Sequence, residues 1–283
     1  RKKKLPGEMA ARAFPEAAPV SLRPQTATRA PCSAKSLAML YPNPWAPEVM
    51  TQFFPFRSRV SLPIACLLSR HVRRFQNYLL FFQPPLLQSA KDALDTLMQK
   101  KVRTTYVVGL PLEIGGRLYN CAAVISGGQV HGLVPKTHLT AAEKRWFTSG
   151  DQLGQVYLTP QDLGLIPSED YWTVPVSAKQ LFRLGDDAIV GVEICQDGMV
   201  PKSCHADLAV NGAEVILNLA ASHELVGKRG YRRDLVKHVS ESCKCVYAFA
   251  SAGYTESTSD LVFSGHSVIG ENGHVMAENE NLF

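Results

Sequence analysis

Cys195 stands at the end of an apolar run, Gly191-Val-Glu-Ile-Cys195-Gln-Asp197, and is followed at once by a polar pair and Gly198. A strand that ends in a thiol holds the sulfur rigidly while presenting it to the loops beyond the sheet, where nucleophiles work. Cysteine more often behaves as a small buried hydrophobe. The polar pair after Cys195 argues against simple burial. A thiolate, or the oxyanion formed when it attacks a carbonyl, needs a cation beside it. Leu133-Val-Pro-Lys136-Thr137 offers one: a lysine just past an apolar strand, fixed by the preceding proline. Taken alone, Lys136 reads more simply as a solvated surface lysine. Neither residue settles the matter by itself.

The elements that must hold these groups are legible from periodicity. Gln88 to Lys101 is rich in helix formers, with Ala90, Leu94 and Leu97 at helical spacing. Thr105 to Pro111 and Leu118 to Ser126 read as buried strands, and Gly127-Gly128 turns the chain into a third, Gln129 to Val134. Few strong signals occur between about 150 and 180. Then follow a strand Ala188 to Ile194, a helix near His205 to Asn211, and a strand Glu214 to Leu219. A helix over Gly230 to Cys243 places Tyr231, Leu235, Val239 and Cys243 on one face. Strands Cys245 to Ala250 and Leu261 to Ile269 complete a mixed α/β layer protein.

The 283 residues carry a net charge of +5, unevenly distributed. Residues 1–80 hold 13 Lys/Arg and 3 Glu with no Asp, so the rest of the chain is net acidic. The same 80 residues hold 10 of the 18 prolines and 1 of the 20 glycines, which prevents any long element there. Two domains are therefore expected: a Pro/Arg-rich segment over 1–80 without a packed core, and an organised domain over 81–283. Three readings stand open for the first: a disordered basic arm touching nucleic acid, a targeting peptide, or a non-native frame produced by a frameshift upstream of a truncated coding region. The third is preferred, because the cations are scattered and no amphipathic helix is evident. The longest apolar run, Leu62 to Leu68, is interrupted by Pro63 and far too short to span a membrane. Seven cysteines scattered over a long chain fit a reducing, cytoplasmic setting better than a secreted disulfide framework.

Lys136 in VPKTHL, Cys195 in VEICQD and the tail AGYTESTSDLVFSGHSVIGENG resemble the nitrilase-type carbon–nitrogen hydrolase superfamily. More narrowly, VVGLPLEIGGRLYNCAAVISGG, EKRWFTSG and NLAASHELVGKRGYRRDLV are similar to the amino-terminal glutaminase domain of glutamine-dependent NAD synthetases. The resemblance covers about residues 83–283 and implies a four-layer α-β-β-α sandwich, incomplete at its N-terminal strands. It implies hydrolysis of the glutamine side-chain amide, supplying ammonia for NAD synthesis from deamido-NAD. By the same resemblance Cys195 is the nucleophile, Lys136 stabilises the oxyanion, and Glu143 is a second glutamate that follows the lysine. Ser222 and Lys228 match positions that contact glutamine, and Gln196 stands where an acidic residue usually follows the nucleophile. The alternatives are a stand-alone amidase of the same superfamily, or a catalytically dead fragment that acts at most as an interaction module.

Two further departures bear on activity. The general-base glutamate of the family lies in a context like FPELxLxGY, which is not found here; Glu8, Glu16 and Glu48 have the wrong surroundings. The stretch between Lys136 and Glu143 is about four residues shorter than usual, removing aromatic residues of the glutamine pocket. The chain alone is therefore expected to turn over slowly, with Cys195 nonetheless its most reactive thiol, its pKa lowered by Lys136. No cofactor is expected for the glutaminase part; ATP belongs to a synthetase domain absent from this chain. That domain and glutamine are the expected partners, together with further copies of the intact family's protein, but neither nucleic acid nor a membrane. Cys243-Lys-Cys245, Cys204-His205 and His223 lack paired metal-binding spacing, so no metal is expected. Gly227-Lys-Arg-Gly230 is no phosphate loop. Arg229, Arg232, Arg233 and Lys237 read as a solvated basic helix face or, less often, an interface with the synthetase part.

Overall fold

The computed structural model describes residues 20–22, 64–68, 82–99, 105–154, 156–165, 172–184, 188–253, 257 and 261–279. Its strands are β1 (Val20–Leu22), β2 (Ile64–Leu68), β3 (Thr105–Ile114), β4 (Arg117–Ser126), β5 (Gln129–Pro135), β6 (Val156–Leu158), β7 (Val174–Val176) and β8 (Leu181–Leu184). They continue as β9 (Ala188–Ile194), β10 (Val215–Ala220), β11 (Val246–Ser251), β12 (Val268–Glu271) and β13 (His274–Glu278). Three helices, α1 (Pro84–Gln99), α2 (Cys204–Val210) and α3 (Lys228–Ser242), flank them. The strands form two sheets, ordered β1-β8-β9-β10-β11-β12-β13 and β2-β3-β4-β5-β7-β6.

Side-chain alternation along the strands explains why two sheets stack. Val107, Ala122, Val124 and Val134 of one sheet meet Val190, Val192, Val215, Leu217, Leu219, Val246 and Ala248 of the other in a shared inner core. The intervening residues point outward. Tyr106, Val108, Cys121, Ala123 and Ile125 pack with Leu94 of α1. Ile216, Tyr247 and Phe249 pack with Leu208 of α2 and with Val236 and Val239 of α3. The result is the α-β-β-α four-layer sandwich.

β9, β10 and β11 are parallel, connected through α2 and α3. In such a β-α-β-α-β unit the carboxyl ends of the strands open toward one set of loops, and Cys195, Ala221 and Ala252 follow those three ends.

Several elements depart from the sequence expectations. α1 begins four residues before Gln88, because Pro84 and Pro85 suit a first helical turn whose N–H groups are unpaired anyway. β3 runs past Pro111 to Ile114 and a Gly115-Gly116 hairpin. Among the described residues β2 pairs with β3 as far as Gly109, and beyond it Pro111 faces only β4 there, where its missing donor is tolerated. The stretch from 150 to 180 contains two short strands, β6 and β7. The expected strand from Leu261 to Ile269 is a strand only from Val268. It continues into a hairpin with β13, turned by Asn272 and Gly273 at φ 49° and 80°. Asn-Gly is the residue pair such a turn favours, a signal present in the sequence.

The helix face of α3 is rotated from the expected one. Arg232, Val236, Val239 and Ser240 are buried, whereas Tyr231 is exposed. Burial of an arginine overrode the apolar count. Two strands come from the first eighty residues: β1 pairs with β8 and β2 with β3, both in parallel. Apart from those two strands, the absence of a packed core in residues 1–80 lies outside the described residues.

Glu278 fastens β13 to α3. It accepts from Arg229 Nε at 2.7 Å, Arg233 Nε at 2.6 Å and His266 Nε2 at 2.8 Å. Burial opposes its ionisation, but hydrogen bonds from Arg233, Arg229 and His266 outweigh this and hold the carboxyl at about 2, against an ordinary 4.5. A carboxyl held low in the fold stabilises it above the unfolded pKa and loses that contribution as pH falls through the window from 4.5 to about 2. Thermal unfolding followed across that window should therefore steepen in the parent chain relative to Glu278→Gln. Equal acid slopes would count against the assignment.

Candidate active site

Two strand ends from different sheets converge. Lys136 follows β5 and is buried to 2% exposure. Its Nζ lies 2.7 Å from both carboxylate oxygens of Glu143, which sits in the short helical turn Glu143–Arg145. Thr140 closes that turn tightly: its N–H donates to Glu143 Oε2 at 2.9 Å, and its Oγ1 accepts from the Glu143 N–H at 3.3 Å. Asn120 Nδ2 completes the carboxylate's contacts at 3.5 Å.

Cys195 opens the turn Cys195–Gly198 with φ 50°, a left-handed conformation rare outside glycine and strained for cysteine. Asn218, in the middle of β10, holds it there. Its Oδ1 accepts the Cys195 N–H at 3.1 Å, and its Nδ2 donates to the Cys195 carbonyl at 3.2 Å. Asn218 Nδ2 also donates to Glu193 Oε1 at 3.0 Å, and Tyr247 Oη donates to the same oxygen. His205 Nδ1 lies 3.4 Å from that oxygen, while its Nε2 meets Ser203 Oγ at 2.7 Å. Glu193 is thus buried at the centre of a polar network built on its Oε1, while its Oε2 has no hydrogen-bond partner among the described residues.

Asp197 joins the two strand ends. Its Oδ1 accepts the N–H groups of Thr137 at 3.1 Å and His138 at 2.6 Å, and its Oδ2 accepts that of Ile194 at 3.0 Å. The residues next to Lys136 are thereby pinned to the turn that bears Cys195. Burial pushes the Asp197 carboxyl up to about 6, against those backbone hydrogen bonds.

The thiol itself is held above its ordinary pKa. Burial is the largest influence and raises it; Lys136 lowers it, Glu143 raises it, and a backbone hydrogen bond from Ala221 lowers it. The expected net lowering by Lys136 is therefore corrected: the lysine acts in that direction, but desolvation exceeds it. At neutral pH the group rests as a thiol, so attack requires removal of its proton. Burial holds Cys121 and Cys204 still higher, and Cys245 rises to about 12.

Ser222 is buried beside Ala221, its Oγ within 3.4 Å of Arg232 Nε. Arg232, expected on a solvated face, is wholly buried: its Nη1 pairs with Glu224 at 2.6 Å and its Nη2 donates to the carbonyls of Ser222 and His223, each at 3.1 Å. Lys228 begins α3 with its Nζ 4.5 Å above the Tyr231 ring. Gln196 lies partly buried in the Cys195 turn. Glu193, Asn218, Tyr247 and Arg232 were missed as site-building residues. For Glu193 and Asn218 the signal was a single polar group inside an otherwise apolar run, as in GVEI and VILNLA, whereas Arg232, in GYRRDL, carried none. Among the described residues, one group of metal-ligating side chains comes together, His138, Asp197 and Cys204.

The partly buried Cys195 thus ends a parallel strand of one sheet, and a buried lysine–glutamate pair follows a strand of the other, in a two-sheet sandwich of the nitrilase type. Residues 83–282 match the family described as carbon-nitrogen hydrolase, and the chain belongs to that family. The glutamine-dependent NAD(+) synthetase of Mycobacterium tuberculosis is 35% identical over 209 residues, which are 71% of this chain and 29% of the relative. Its human counterpart is 27% identical over 206 residues, 70% of this chain and 28% of the relative. The chain thus spans less than a third of the curated relatives it matches. Among solved structures, the glutamine-dependent NAD(+) synthetase of Cytophaga hutchinsonii superposes with a TM-score of 0.61 at 26% identity, covering 78% of this chain and 35% of that one. A carbon-nitrogen hydrolase from Helicobacter pylori shares the fold at 17% identity, with a TM-score of 0.55, covering 77% of this chain and 73% of its own. Among the described residues no helix is long and apolar enough to cross a membrane.

Proposed function

We propose that this chain is the glutaminase part of a glutamine-dependent NAD synthetase, hydrolysing the side-chain amide of glutamine on Cys195. The observation that carries this reading is the Lys136–Glu143 pair, pinned through Asp197 to the turn that bears the thiol. Residues 81–283 form the hydrolase domain in this reading, in keeping with the family match over 83–282. Residues 1–80, of which β1 and β2 pair with the two sheets, are in this reading a frameshifted segment, and the upstream nucleotide sequence in all three frames tests that.

In the first half-reaction the Cys195 sulfur attacks the amide carbon as its proton leaves. Lys136 Nζ faces the charge that develops on the amide oxygen. Collapse of the tetrahedral intermediate breaks the C–N bond, and ammonia departs with the added proton. Water then attacks the thioester, releasing glutamate and restoring the thiol. Glu143 is a positioning residue: both its oxygens are engaged by Lys136, so it orients the ammonium and is not free to accept the thiol proton. Asp197, held by three backbone N–H groups with one acceptor position left on Oδ2, is in this reading a tether between the two strand ends. Neither carboxylate that bears on the thiol's ionisation serves as the base, so both steps are slow in this chain.

Ser222 and Lys228 border the glutamine site in this reading, the lysine meeting the substrate carboxylate, with Gln196 beside the nucleophile. The ammonia passes to a synthetase domain that binds ATP and deamido-NAD; this part requires no cofactor. The setting is cytoplasmic, consistent with five free cysteines among the described residues. The assembly is a homo-oligomer of the full-length protein, without nucleic-acid or membrane partners.

The experiment is peptide mass spectrometry after incubation with glutamine, and separately with a limiting alkylating reagent. A slowly turning-over glutamyl adduct on Cys195, absent in Cys195→Ala, is the expected result. General-base catalysis typically contributes about 100- to 10,000-fold, so adding an N-terminal segment with a FPEL-type glutamate should recover turnover on that scale. Preferential alkylation of Cys121 or Cys245 would overturn the nucleophile. An adduct from other small amides but not from glutamine would favour a stand-alone amidase.

A further inference from the structure

The nucleophile and its cation leave unused a group of side chains on the far side of Asp197. His138 lies in the loop after β5, Asp197 in the turn after β9, and Cys204 at the first residue of α2. One ligand atom from each lies within 4.8 Å of the other two. We infer that His138, Asp197 and Cys204 form a binding site for a borderline-soft divalent cation, Zn2+ above all, which staples the Lys136 loop to the Cys195 turn.

The donor set argues for this chemistry. An imidazole nitrogen, a carboxylate oxygen and a thiolate are the three ligand types that zinc takes, and three protein ligands leave a fourth position for water. Hard cations such as Mg2+ and Ca2+ prefer all-oxygen sites, which a thiol and an imidazole do not supply. The charges balance, because one thiolate and one carboxylate neutralise a divalent ion. Coordination replaces the proton on Cys204, which passes to water.

Asp197 has one acceptor position left. A carboxylate offers about four, two on each oxygen. Thr137 and His138 fill Oδ1 through their N–H groups, whereas among the described residues Oδ2 receives Ile194 alone. The remaining position on Oδ2 is available to a cation without breaking a hydrogen bond. A support for the ligands is also present: the Asp197 carboxylate is fixed by three backbone N–H groups, those of Thr137, His138 and Ile194. Such outer contacts orient ligands in established metal sites. Closing the three donors onto one ion needs a contraction of about an ångström, within reach of a His138 side chain that is only partly buried.

The test uses the full chain with Co2+ as a spectroscopic stand-in for Zn2+, in the Cys195→Ala background so that the nucleophile cannot ligate the ion. A thiolate-to-cobalt charge-transfer band, saturating at one ion per chain and displaced by Zn2+, is expected. It should vanish in Cys204→Ser and weaken at least tenfold in affinity in His138→Ala, whose partly exposed side chain can be lost without unfolding. Zn2+ should raise the thermal midpoint of the parent and leave that of Cys204→Ser unmoved. A band that disappears with Cys195→Ala alone would place the metal on the nucleophile and overturn the site. So would a band that survives Cys204→Ser, or no binding of one ion per chain. None of these readouts depends on hydrolytic activity, so the failure of this site and of the proposed reaction are separable.

Discussion

Lys136→Met is expected to lower the stability of the fold by about 3–5 kcal/mol, the usual effect of removing one member of a buried ion pair. The reason is what it leaves behind. Lys136 is 2% exposed and Glu143 9% by side chain, and the lysine touches both carboxylate oxygens. Without it, Glu143 keeps one good donor, the Thr140 N–H at 2.9 Å, and a long contact to Asn120. A buried carboxylate so poorly compensated must either pay desolvation or take up a proton. Removing both charges should hurt far less, because an apolar pair of similar volume leaves nothing unpaired. Urea unfolding of Lys136→Met, Glu143→Leu and the double variant measures this. A double variant less stable than Lys136→Met would sink the buried-pair reading. The same substitution also removes the largest influence that lowers the Cys195 pKa. Alkylation of Cys195 at fixed pH should slow accordingly.

Gly198→Ala is expected to disrupt the turn that bears Cys195 without touching the thiol. A Cβ at this position would overlap Glu193 Oε1 and stand 2.6 Å from Tyr247 Oη and 2.8 Å from Asn218 Nδ2. None of these atoms is the loose end of a flexible chain. Each is bonded to another, and Asn218 in turn holds both backbone groups of Cys195. Overpacking of this kind costs about 1–3 kcal/mol, and each buried hydrogen bond broken adds about 1–3 more. Stability should therefore fall by several kcal/mol, and Cys195 should lose its lead in alkylation over the other thiols. Gly230→Ala is the control: nothing lies within 4 Å of its added Cβ, and it sits in a helix, where alanine is favoured. If both substitutions behave alike, the network beneath Cys195 has no positioning role.

Much of the scaffold was legible because apolar alternation and strand-end polarity report burial directly. Ala188 to Ile194 and the Gly127-Gly128 turn read correctly for that reason. The strand that ends at Cys195 and the one that leads into Lys136 could be seen, but not that they would face each other. Their meeting depends on the stacking of two sheets, which no local pattern encodes. Polar residues that build the site were hidden for a related reason. Asn218 and Glu193 are isolated within apolar strands, and their partners lie 12 to 54 residues away. Arg232 misled the helix reading because its charge is satisfied inside, by Glu224 and two carbonyls, rather than by water. The general base was absent at the level of motif, and the two carboxylates that bear on the Cys195 pKa, Glu143 and Asp197, are already hydrogen-bonded.

Asp197 reaches across about sixty residues to the N–H groups of Thr137 and His138, while Lys136 and Glu143 are seven residues apart within one sheet's border. This separation orders the assembly of the site in time. Local contacts close quickly and distant ones slowly, since loop-closure entropy is met before the distant contact rewards it. The lysine–glutamate pair can therefore form on its own sheet while the cysteine turn still waits for sheet docking. During refolding, the thiol acquires its cation only when the two halves of the sandwich join, so its chemical reactivity serves as a clock for that last packing event.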